Sequence, residues 1–142
     1  MGVKEHKKKA PKQADVGIIT VSTSRSKAED ESGHWIAKRA AKEGHRVVFH
    51  NVIPDSPETI LQTVQSLIAE LSPQIIIITG GTGISDQDVT IETIRPLFKK
   101  ELTGFGALFA QLSFEEIDSA AILSRAHSSD FRGQKQQAPP YR

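Results

Sequence analysis

Two aspartates stand just beyond runs of apolar, largely β-branched residues: Asp55 in "HNVIPDS" and Asp88 in "IIIITGGTGISDQD". Carboxylates are hard oxygen ligands, and two of them beside phosphate-binding amides suggest a Mg²⁺ held against a substrate phosphate. The second stretch offers such amides. In Thr79-Gly80-Gly81-Thr82-Gly83 the glycines let backbone N–H groups approach an anion closely, and the two threonines add hydroxyls. If the loop leads into a helix N-terminus, the site suits a phosphate further. It is not a P-loop, because no Gly-Lys-Ser/Thr follows, and the G-x-G-x-x-G fingerprint of dinucleotide sites is absent. Each feature also has a plainer alternative. The glycines serve equally as a strand-to-helix turn needing positive φ, Asp55 as the start of a second helix, and Asp88 as the cap of a third.

The elements that must position these residues alternate. "DVGIITVS" (Asp15 to Ser22) reads as a buried strand and leads into the polar loop "TSRSKAEDESG". A helix is expected from about Asp30 to Lys42, with Ile36, Ala37, Ala40 and Ala41 on one side and Gly44 as its stop. "HRVVFHNVI" (His45 to Ile53) is a second strand. Ser56-Pro57 then forms an N-cap and first turn, and Ile60, Leu61, Val64, Leu67, Ile68 and Leu71 fall at helical spacing. "QIIIITGG" is a third strand without period-two alternation, as expected where helices cover both faces. The apolar spacing predicts a helix from Thr90 to Lys100 and another through Phe105, Leu108, Phe109 and Leu112, with a capping box at Ser113 and Glu116. "SAAILSR" is a candidate further strand. Strand–helix alternation predicts an α/β fold, a mostly parallel open sheet between helical layers. Ligands in such sheets bind beyond the carboxyl ends of the strands. Three loops leave that edge: Ser22–Arg25, Pro54–Ser56 and Thr79–Asp88.

Two arginines that follow serines at strand ends, Arg25 and Arg125, could clamp a phosphate or carboxylate, with a surface ion pair as the plainer role. Trp35 and Phe105 are read as packing residues before stacking platforms.

The rest of the chain narrows the classes. Its 142 residues suit one domain, and a net charge of +1 offers no basic field for nucleic acid. With no cysteine there are no disulfides, thiolate metal sites or cysteine nucleophile, which fits a cytoplasmic protein. The five histidines make no pair at helical metal-ligand spacing. No apolar run reaches the ~20 residues of a membrane span, and the Lys-rich start lacks a signal-peptide core. Residues 1–14 are expected to be a flexible basic arm, 15–126 the domain, and 127–142 a loose tail.

"TGGTGISDQDVTIE" (Thr79 to Glu92) resembles the signature of the molybdenum-cofactor biosynthesis family that includes MoaB and MogA. "GFGALFAQLSFEEI" (Gly104 to Ile117) is similar to its MoaB branch, and "VSTSR", Pro54-Asp55 and "LSR" (Leu123 to Arg125) fit as well. The resemblance implies a three-layer α/β/α sandwich, trimeric or hexameric. It implies a molybdopterin adenylyltransferase, which uses Mg-ATP to adenylate the terminal phosphate of molybdopterin and releases pyrophosphate. Carried over by position, it makes Asp55 and Asp88 the family's essential aspartates and Gly80, Gly81, Thr82 and Gly83 its phosphate loop, beside which the residues themselves offer the Thr79 hydroxyl and a Mg²⁺ on the two carboxylates. Ser22, Ser24, Ser124 and Arg125 would line the pocket. Two departures stand out. Ile91 replaces the family's proline, and the strand, Pro-Gly-Ser loop and closing helix expected after Arg125 are missing, as in a truncated or frame-altered version. The alternative is therefore a non-catalytic molybdopterin-binding or scaffold protein. A nucleotide pyrophosphatase on a related fold is the third reading.

Overall fold

The computed structural model describes residues 2–9, 12–101, 104–108, 111–112 and 129–131. Three parallel strands form the main sheet: β1 (Asp15–Val21), β2 (Arg46–Ile53) and β3 (Ile75–Thr79), in the order β2-β1-β3. Their registers bring Val21 opposite Ile53 and Thr20 opposite Thr79, so the three carboxyl ends finish level.

The central strand is buried almost throughout, and its alternation divides it between two helical layers. On one face, Thr20 meets the helix α2 (Glu31–Lys42) through Asp30. On the other face, Ile19 and Val21 join Ile53, Ile60, Val64, Leu67 and Ile94 in the main core. That core is roofed by α3 (Pro57–Glu70) and α4 (Thr90–Ile94). The layers are thus α/β/α, as expected. Gly17 faces α3 so closely that a Cβ there would lie 2.7 Å from Leu67 Cδ2.

Local signals account for the element ends. Ser56 Oγ accepts from the Thr59 amide at 3.4 Å and Pro57 opens α3, whose Ile60, Val64 and Leu67 are buried as their spacing predicts. Asp30 caps α2 rather than beginning it, and Gly44 ends that helix at φ +88. Ile36, Ala37 and Ala40 turn inward, whereas Ala41 is exposed. β3 is less covered than its isoleucine run suggests, with Ile75 43% exposed.

Two expectations, the extent of the third helix and the packing of Trp35, need correction. The helix read from Thr90 to Lys100 stops at Ile94. A 3₁₀ turn, Arg95–Leu97, and a strand, β4 (Phe98–Glu101), follow it. Pro96 is the reason: it has no N–H for the helical ladder and its ring clashes with the preceding turn. β4 pairs antiparallel with β5 (Ser129–Phe131), so the segment expected to be a loose tail contributes a strand. The N-terminal arm contains a short helix, α1 (Val3–Lys9). Trp35, read as a packing residue, is 66% exposed. Residues 104–108 and 111–112 are helical, as the spacing predicts, while Ser113, Glu116 and the "SAAILSR" stretch lie outside the described residues.

Candidate functional site

The strand order decides where the loops meet. β1 lies between β2 and β3, and the crossover after β1 leads to β2 while β3 lies on its other side. Chain connections diverge from that point, and in open α/β sheets the ligand crevice lies beyond the carboxyl ends at such a place. The first loop is tied to the second by the Ser22 amide, which donates to the Ile53 carbonyl at 2.8 Å. The third is seated on the first, because Gly80 packs so tightly on the end of β1 that a Cβ would run into the Val21 carbonyl. Gly80 has φ +88 and Gly81 +62, both in the left-handed region that only glycine enters cheaply. One rim results, with Asp55 on the β2 side, Ser22 in the middle and the glycines on the β3 side. Its span is two strand spacings, ~10 Å.

The first loop is a turn wound around Ser22, whose Oγ accepts from the amides of Ser24 at 3.4 Å and Arg25 at 3.2 Å. Farther on, the Ser26 amide donates to Glu29 Oε2 at 2.8 Å, and Asp30 anchors the loop's end. Asp30 is fully buried. Its Oδ1 accepts from the Gly33 amide at 3.0 Å, and its Oδ2 from Thr20 Oγ1 and His50 Nε2, both at 2.8 Å. Burial pulls its pKa upward, but the hydrogen bonds from His50, the Gly33 amide and Thr20 outweigh that, and the carboxyl sits below its ordinary value. His34 packs edge-on against His50, with ring centroids 5.1 Å apart.

The two candidate carboxylates differ in their partners. Asp55 Oδ2 accepts from Thr23 Oγ1 at 3.3 Å. Its Oδ1 is buried and, among the described residues, is the one buried side-chain polar atom without a hydrogen-bond partner. A buried acceptor left so is costly unless a donor or cation meets it. Asp88 is held within its own loop: Oδ2 accepts from the Ser85 amide at 3.0 Å and from Ser85 Oγ at 2.7 Å. That carboxylate lies directly against Gly83. The glycine turn itself is pinned from behind by Thr90, whose Oγ1 donates to the Gly80 carbonyl at 3.0 Å and whose amide donates to the Gly81 carbonyl at 3.1 Å.

A family model described as "Probable molybdopterin binding domain" matches residues 17–135. The chain belongs to that family. The match runs past residue 126, where the resemblance was expected to end. Among named relatives, the molybdopterin adenylyltransferase of Pyrococcus furiosus is 42% identical over 137 residues, which cover 95% of this chain and 79% of that protein. Molybdenum cofactor biosynthesis protein B of Bacillus subtilis is 41% identical over 127 residues, 89% of this chain and 75% of its own length. The fold agrees. A crystal structure of molybdenum cofactor biosynthesis protein B superposes with a TM-score of 0.80 at 36% identity, covering 87% of this chain and 77% of the other. The tungsten cofactor synthesizing protein MoaB of Pyrococcus furiosus gives 0.74 at 38% identity, with 88% and 78% covered.

In this member of the family, Thr79 ends β3, and Ser22, Ser24, Asp55, Gly80, Gly81, Thr82, Gly83 and Asp88 belong to the three loops that leave that sheet edge. Ser124 and Arg125 lie outside the described residues. α4, with five residues, is too short to act as the helix N-terminus expected behind the glycine loop. The loop amides are the other backbone donors at that end of β3. Two positioning residues escaped the sequence reading. Asp30 was legible only as a helix start, and Thr90 only as a helix start and part of the signature. Neither residue's sequence neighbourhood announces a partner ten or more positions away. As for Mg²⁺, no group of three or more acidic or histidine side chains converges among the described residues. The donor set therefore fits a cation that keeps most of its shell from water and substrate phosphate and takes one or two carboxylates from the protein, not a closed protein cage. Asp55 Oδ1 is the acceptor with spare capacity for it.

Proposed function

We propose that the chain is a molybdopterin adenylyltransferase acting on Mg-ATP at the rim of β1, β2 and β3. The observation that carries this reading is the buried Asp55 Oδ1 without a partner, on the same sheet edge as the Gly80-Gly81 turn. Names borne by its relatives supply the reaction class. In that reaction a terminal phosphate oxygen of molybdopterin attacks the α-phosphorus of ATP. A phosphoanhydride bond forms as the bond from the α-phosphorus to the bridging oxygen breaks, and pyrophosphate leaves with that electron pair. No redox partner and no covalent enzyme intermediate are needed, which suits a chain without cysteine.

The chemistry brings polyanions together, so the protein's work is to offset repulsion and align the groups. Asp55 and Asp88 would hold Mg²⁺, which when bound neutralises charge on the phosphates. Glycine-loop amides with the hydroxyls of Thr79 and Thr82 would cradle phosphate oxygens. Ser22 and Ser24, with Ser124 and Arg125, would line the pocket where the second substrate enters. We assign the chain to the cytoplasm, with small molecules rather than nucleic acid or membrane as its partners. Among the described residues no helix is long and apolar enough to cross a membrane. A homo-oligomer, trimer or hexamer, is supported by exposed Trp35, Phe105, Leu108 and Leu112, and light scattering tests it.

The deciding experiment supplies purified protein with molybdopterin and Mg-ATP and follows pyrophosphate. Release that requires both pterin and Mg²⁺ and is lost in Asp55→Ala supports the assignment. Tight pterin binding with no pyrophosphate in excess Mg-ATP would assign the chain to the non-catalytic alternative.

A further inference from the structure

The geometry points to Thr90 as the positioning residue of the glycine cradle: its side chain sets the direction in which the Gly81 amide faces a substrate phosphate. This rests on the reading of the rim as a phosphate site and adds to it a residue that touches no substrate.

Thr90 is 1% exposed, and it opens α4 without serving that helix. The cap position belongs to Val89, which makes no side-chain capping bond. Thr93, one turn on, shows the ordinary behaviour of a helical threonine, since its hydroxyl donates to the Val89 carbonyl at 2.7 Å. The Thr90 hydroxyl instead leaves the helix and donates to the Gly80 carbonyl, while its backbone amide donates to the Gly81 carbonyl. Two consecutive peptide planes are thereby held by one residue.

A trans peptide is planar, and its carbonyl and N–H point to opposite sides. The Gly80 carbonyl and the Gly81 amide share one such plane. Drawing that carbonyl toward Thr90 therefore aims the Gly81 N–H away from buried α4. Left to itself the plane would rotate easily, because glycines at φ +88 and +62 have no Cβ to restrict it. Gly81 cannot be stiffened by a larger residue, since a Cβ there would collide with Thr90 Oγ1 and lie 3.4 Å from Val21 Cγ1. Rigidity must come from the far side of the loop, and Thr90 is where it arises. Preorganised donors bind an anion better than donors that must be ordered on binding.

Thr90→Val keeps the shape and removes the hydroxyl, and Thr90→Ser keeps the hydroxyl. Calorimetric titration with Mg-ATP should show Kd raised about tenfold in Thr90→Val and within about threefold of wild type in Thr90→Ser, the range expected for one hydrogen bond. In ¹⁵N-labelled wild-type protein the Gly81 amide resonance should move on saturation with Mg-ATP. A folded Thr90→Val that binds as wild type does, or a silent Gly81 amide, overturns the assignment. If Thr90→Val does not fold, the serine variant and the Gly81 resonance decide. Merely structural support would lower the melting temperature and leave Kd unmoved. Wild type that binds neither Mg-ATP nor molybdopterin would remove the phosphate site itself, and the role of Thr90 with it.

Discussion

Gly83 stands against the carboxylate of Asp88, where a Cβ on the glycine would lie 2.6 Å from Oδ2 and 3.1 Å from Cγ. No real side chain settles that close, so an alanine must push the carboxylate or the loop aside. The same Oδ2 accepts both bonds from Ser85, so any displacement also loosens the turn. On the proposed reading, in which Asp88 helps to hold Mg²⁺, Gly83→Ala should lower molybdopterin adenylation about 10- to 100-fold, the cost of misplacing such a group by about 1 Å. Melting should change little, because the loop lies outside the main core. Steady-state pyrophosphate release measured beside a thermal melt checks both halves.

Asp55 should show the opposite balance from a core residue. Its Oδ1 has no partner among the described residues, and its Oδ2 has one long bond, from Thr23. Removing the carboxylate should therefore cost at most ~1 kcal/mol of stability, and relief of the buried acceptor could raise stability. On the proposed reading activity should fall about 100-fold or more, because the carboxylate that would hold the charge-neutralising Mg²⁺ is lost. Urea unfolding of Asp55→Ala together with its turnover checks this. A strongly destabilised variant would show that Asp55 is a structural residue.

What could be read from the sequence was whatever is local. The spacing of Ile60, Val64 and Leu67 and the Ser56-Pro57 start define α3 from side to side, because amphipathic period and capping act within a few residues. The same reasoning erred at α4, where apolar spacing runs on through Pro96 although the backbone cannot. Strand order is not local, and only the pairing of β1 with both β2 and β3 shows that Asp55 and the glycines flank one strand end. The family signature supplied the candidate residues of the rim. The bonds that hold the rim, Thr90 to Gly80 and Thr20 to Asp30, join residues ten positions apart through the tertiary fold. No periodicity reports such contacts.

Gly17 tests how tightly the sheet is packed. Its missing Cβ leaves room for Leu67, which is 3% exposed. Gly17→Ala would put a methyl 2.7 Å from Leu67 Cδ2. Overpacking of this kind costs about 1–3 kcal/mol. Leu67→Val creates space by itself at a cost, so the two changes should be less destabilising together than their sum. A double-mutant cycle in urea reads that coupling. Strict additivity would mean that Leu67 turns aside and the contact is not felt.

Asp30 links stability to pH. Its carboxylate accepts from Gly33, Thr20 and His50 in full burial, and its pKa is lowered from the ordinary 3.8. A carboxyl with a depressed pKa in the fold stabilises the native state above its unfolded value, and the contribution is lost as pH falls through the folded one. Wild type should therefore lose stability on acidification below about pH 4 more steeply than Asp30→Asn, which has no proton to take up. At neutral pH Asp30→Ala should cost about 3 kcal/mol, because the α2 cap goes and buried donors on Thr20 and Gly33 lose their acceptor. The Ser22–Glu29 loop is moored at Asp30, so activity should fall in the alanine variant even at temperatures where it remains folded. Denaturant unfolding of the three proteins across acid pH, with turnover at neutral pH, measures both effects. Parallel acid profiles for wild type and Asp30→Asn would show that the depressed carboxyl lies elsewhere.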